Sequence, residues 1–209
     1  MSRARGHVGR GPRRYGPAVG EPPPLVDPRR WGSLVGLAGG VVFVASYSSA
    51  LGPVVQPVAW VLALAGVATA LVGHYVRPVA LGPLTRPGPP ALLAYLACVA
   101  GELALIAVGS RALEAAGRGD LRPALIAAVV GLHFVPFAAV FRERMFLHLG
   151  VVVALLGAAG LLVGALGVAR AADAAAVVAG VVLVGFVAAY ALGRYAPADR
   201  GRLRATPPA

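Results

Sequence analysis

Long apolar blocks alternate with short polar or proline-rich connectors along this chain. Each block runs for roughly 18 to 22 residues, the length a helix needs to cross a hydrocarbon layer about 30 Å thick at about 1.5 Å of rise per residue. The pattern predicts six such helices, over about residues 32–51, 58–76, 91–109, 123–141, 146–168 and 174–192. Between the first two, "GPVVQP" reads as a turn, and "RPVALGPLTRPGPP" holds too much proline to continue the second. In "SRALEAAGRGDLR", Asp120 is placed to cap the fourth helix and Pro123 to open it, while "RERM" and "ARAAD" supply the last two connections.

The predicted fold class is therefore all-α, a polytopic transmembrane bundle of six helices in residues 31–192. Residues 1–30 are rich in Arg, Gly and Pro and lack apolar periodicity, so they are expected to form a disordered tail; residues 193–209 form a second basic tail. A signal peptide would have a shorter basic region and a shorter apolar core, so the first block is expected to be a retained helix.

All nineteen cationic side chains are Arg, and fifteen of them fall in the two tails and the second and fourth connectors, against four in the others. The positive-inside rule then puts both termini in the cytoplasm. The absence of Lys and Asn fits a GC-rich bacterial genome, and the expected location is the bacterial inner (plasma) membrane.

Composition agrees with this class, at 58% hydrophobic and 13% charged. The net charge of +11 would otherwise suggest nucleic acid, but the cations lie where membrane topology alone accounts for them, so no nucleic-acid partner is expected. The basic tails suit anionic lipid headgroups, at about 1 kcal/mol per residue near the surface. One cysteine, Cys98, excludes an intramolecular disulfide and a cysteine-rich metal site.

Few side chains within the blocks can carry chemistry. Glu102 lies deep in the third, where a carboxylate costs about 2.5 to 3.5 kcal/mol on insertion scales. Its candidate partner is His133 in the fourth. In an antiparallel hairpin the two fall about 12 and 15 Å below the same boundary, within one helical turn of each other. The pair would act as a proton relay or substrate anchor, or simply as a polar packing contact. Pro136, three residues after His133, removes a backbone donor and is expected to kink its helix.

His74 and His148 fall at one depth and would ligate haem or a metal only if their helices were neighbours; neither forms a recognised ligand spacing, and no cofactor or metal is expected. Ser46 to Ser49 read as hydroxyls bonding back to their own helix, and the Arg118 to Asp120 "RGD" as a chance match. Gly32, Gly36 and Gly40 in the first block, and Gly157, Gly160, Gly164 and Gly167 in the fifth, form stripes that let helices approach closely, within the bundle, between protomers or against partner helices.

The stretch from Gly131 to Phe141, "GLHFVPFAAVF", resembles a pattern found in small multi-pass bacterial membrane proteins of uncharacterised function, Gly-Leu-His-Phe followed by a proline and a phenylalanine-bounded helix end. The resemblance implies no activity and favours a purpose for His133. No catalytic motif is present, so the chain is not expected to be an enzyme. Two functions remain: a small proton-linked permease using Glu102 and His133, or a non-catalytic membrane scaffold or accessory subunit packing through its glycine faces.

Overall fold

The computed structural model describes residues 23–79, 81, 88–141 and 143–195; the expected tails at 1–22 and 196–209, and Arg142, lie outside them. Among the described residues the chain is all-helical, without strands. The helices are α1 (Pro28–Tyr47), α2 (Gly52–Leu71), α3 (Pro89–Ala115), α4 (Arg122–Phe141), α5 (Arg144–Ala165) and α6 (Ala171–Ala191). Five helical stretches are long and apolar enough to cross a membrane, the first of them a continuous run, Pro28–Val76, that contains both α1 and α2.

A straight helix of 49 residues would be about 74 Å long, more than twice the hydrocarbon thickness. The run instead doubles back. Ser48–Leu51 tighten into a 3-10 turn, and Gly52 takes φ +87°, a conformation open to glycine and strained for other residues. Gly36 then lies beside Val187 and Gly40 beside Gly180, whereas Gly66 lies beside Val184 and Gly73 beside Ala191. Thus α1 runs antiparallel to α6 and α2 parallel to it.

The expected turn "GPVVQP" is confined to Gly52. Pro53 occupies the first turn of α2, where its missing N–H costs nothing, and Pro57 lies within the helix. Likewise α1 begins at Pro28 rather than near residue 32, because Asp27 caps it by accepting from the Arg29 N–H at 2.9 Å.

At the centre stands α6, which packs against α1, α2, α4 and α5; α3 touches the bundle chiefly through α4. The core around α6 is made of Leu37, Phe43, Leu149, Val153, Leu183, Val184 and Val187 with interleaved alanines. The closest pairing is the α4–α5 hairpin. A Cβ on Gly157 would lie 2.5 Å from Ala128 Cα and 2.8 Å from Ala124 O, and one on Gly131 would lie 2.6 Å from Ala154 Cα. These helices meet backbone to backbone, as small residues permit.

Gly157 faces this seam, Gly160 meets α6 at Ala175 as well as α4 at Ala124, Gly164 lies beneath Leu121 of the α3–α4 connector, and Gly36 and Gly40 face α6. Two glycines depart from the expected stripes. Gly32 is exposed with nothing near it, because the face of α1 directed at α6 is set by Gly36 and Gly40. Gly167 ends α5 at φ +89°, its N–H donating to the Gly164 carbonyl.

Candidate functional site

The antiparallel seam of α3 and α4 sets Tyr95 against Phe137, Glu102 against His133, Gly109 against Leu125 and Glu114 against Arg122. Glu102 Oε2 lies 2.8 Å from His133 Nδ1, and each side chain is 14% exposed. The approach is off the direction of a linear N–H bond: Nδ1 is buried without a hydrogen bond, so the contact is one of close approach.

Aromatic rings close around this pair. His133 stacks on Phe134 at a centroid distance of 4.7 Å and meets the edge of Phe137 at 4.5 Å. The cluster continues through Tyr95, Phe141 and Phe146 to the α4–α5 turn. Pro136 sits on an exposed side of α4, and the helix continues past it to Phe141. Cys98, one turn before Glu102, is a free, partly buried thiol.

The pair lies at the bundle's edge. On α3, Ser110 is buried while Leu93, Leu103, Leu105 and Val108 are exposed. Among the described residues, the buried polar side chains (Asp27, Arg30, Ser33, Ser48, His74 and Ser110) all fall within two turns of a helix end. An open recess of about 520 Å3 lies between the α3–α4 and α5–α6 connectors, bordered by Asp120, Pro123, Arg170 and Asp173, remote from Glu102 and His133. There Asp120 sits in a 3-10 turn with its carboxylate 3.6 Å from Arg118, which donates to the Gly164 carbonyl at 3.0 Å. The "RGD" residues thus fasten this connector to α5.

A second polar cluster joins the start of α1, the end of α2, the α4–α5 turn and the end of α6. Asp27, fully buried, accepts from Arg29 Nε at 3.0 Å and Nη2 at 2.8 Å. Arg30 is 2% exposed and donates to the carbonyls of His74 and Val79. Tyr190 donates to Glu143, whose carboxyl is pushed above its ordinary value by burial, with Arg29 and the Tyr190 hydroxyl opposing. His74 is 1% exposed, edge-on to Tyr75 and Tyr190, and neither ring nitrogen has a hydrogen-bond partner.

Sequence reading missed this cluster, having assigned Arg29 and Arg30 to the tail. The Asp-Pro pair at 27–28, a capping acid before a helix-opening proline, is the signal that would have drawn them into α1. Nothing local marked Glu143, whose partners are distant in sequence.

His148 is exposed, its ring 6.0 Å from Tyr195, and α2 and α5 each pack on α6 rather than on each other. The two imidazoles are therefore not on neighbouring helices. Among the described residues no three His, Cys, Asp or Glu side chains gather as a metal site. No protein-family model, curated protein or solved structure matches the chain.

Proposed function

We propose that the chain is a six-span protein of the bacterial inner membrane, with both termini cytoplasmic, serving as a non-catalytic scaffold or accessory subunit. The reversal at Gly52 supports six crossings, because it divides the long first stretch into two antiparallel helices of 20 residues each. The fifteen-to-four bias of Arg supports the orientation.

One observation carries the scaffold reading. The acid–imidazole pair fastens a peripheral helix to the bundle, whereas the central helix is packed by Ala, Val, Leu and Gly. A permease needs polar groups converging along a path through the bundle. Here the deep polar pair docks α3 onto α4, and α3 keeps a long apolar flank for lipid or a partner helix.

Proton-linked permeation is the second reading, favoured by the 2.8 Å contact between two titratable groups at membrane depth. Reconstitution in liposomes holding a pH-sensitive dye separates them. The scaffold reading expects no proton flux under an imposed gradient for the native chain, and unchanged baseline leak in Glu102→Gln. Flux in the native protein that disappears in Glu102→Gln would replace it with the permease.

A further inference from the structure

The cluster where α1 begins contains a group the preceding reading does not use. His74 is buried to 1% exposure, and both its ring nitrogens lack partners. Its backbone is also unusual: Val72–Val76 form a π-helical turn, closed by the Arg77 N–H donating to the Val72 carbonyl at 2.8 Å. The π-helix is rare, and single π turns are frequent at functional sites. The turn is seated on α6, since a Cβ on Gly73 would come within 3.0 Å of the Ala191 carbonyl oxygen. It is tied to α1 by Arg30, which donates to the carbonyl of His74 itself.

We propose that His74 is the proton-responsive element of a latch that holds the α2 end to α1 and α6. With the ring neutral, it fits between Tyr75 and Tyr190 as a flat, largely apolar plate. A proton would turn it into a cation with two N–H donors, neither of which has a hydrogen-bond partner among the described residues. Burial and the neighbouring cation oppose that charge, and the one nearby carboxylate that favours it, Asp27, is shared between Arg29 and Arg30. From α1, Arg30 adds a second positive charge at the same residue, and Asp27 is already held by Arg29 through two nitrogens. From α6 comes the Tyr190 hydroxyl, which donates to Glu143 of the α4–α5 turn. On its own element, His74 is followed by Tyr75 and by Arg77, another cation. Protonation therefore opposes the closed state, and the imidazolium reaches water only if the π turn lifts away from α1 and α6.

The latch is tested on the whole chain in nanodiscs, with Cys98→Ser and spin labels at Trp31 in the first turn of α1 and Val76 in the π turn, which are 59% and 70% exposed. Lowering the pH should lengthen the inter-label distance, with the open-to-closed ratio rising about tenfold per pH unit below the midpoint, the slope of one proton. His74→Phe, which keeps a flat ring, should abolish the response, and His148→Phe should leave it intact. A response that persists in His74→Phe, or a native chain that never opens, overturns the proposal. Independently of any variant, histidine-labelled NMR of the native protein should show His74 gaining its proton in the same step as opening. A protonated ring in the closed state would also overturn it.

Discussion

Replacing Gly157 with Ala adds one methyl group at the tightest seam of the molecule. Its Cβ would stand 2.5 Å from Ala128 Cα and 2.8 Å from Ala124 O, where ordinary contact begins near 3.4 Å. The obstacle is backbone on a packed helix, so α4 and α5 must separate by about 1 Å, a gap that forfeits up to half the dispersion energy of each contact across it. Overpacking of this kind costs about 1 to 3 kcal/mol, and contact with main chain puts it at the upper end. The higher helix propensity of Ala returns about 1 kcal/mol, leaving a net loss of about 2 kcal/mol, or about 30-fold in the folding equilibrium. Gly32→Ala is the control: nothing lies within 4 Å of its added carbon, so only the propensity gain should appear. Reversible unfolding in mixed micelles, followed by circular dichroism, measures both. If Gly157→Ala proves as stable as Gly32→Ala, the close approach of α4 and α5 is not what holds the hairpin.

Three further outcomes are expected. Glu102→Ala and His133→Ala should each loosen α3, and a double-mutant cycle in the same assay should give a coupling of about 0.6 to 1.7 kcal/mol; a coupling of zero would mean the contact contributes nothing. Because burial raises the Glu143 carboxyl, the folded state binds its proton more tightly than the unfolded state. Stability from this group is thus full at low pH and lost as pH rises from the ordinary carboxylate value through the raised one, and Glu143→Gln should flatten that slope in a pH series of unfolding titrations. Asp27→Ala should cost about 0.5 to 2 kcal/mol by removing the α1 cap, seen as faster amide exchange in the first turn around Arg29 and Arg30.

How legible each feature was depends on whether its cause was local. Apolar length marked the helices, since a lipid solvent constrains every residue of a span in the same way. The α4–α5 seam was half legible. Gly157, Gly160 and Gly164 share a face by spacing alone, but Gly131 and Gly150 become packing glycines only when a second helix is laid against them. Gly32 meets no other helix among the described residues: four-residue spacing sets it in line with Gly36, but on that turn of α1 the buried positions are Arg30 and Ser33. Glu102 and His133 could be paired by depth because a short connector fixes the hairpin register. His74, Tyr190 and Glu143 could not, because their meeting point depends on how four helix ends converge around α6.

The connections at the end of the bundle away from Asp27 are very short: Ser48–Leu51, Ala116–Leu121 and Leu166–Arg170. A protease, antibody or soluble receptor approaching from that side meets almost no polypeptide standing clear of the helices.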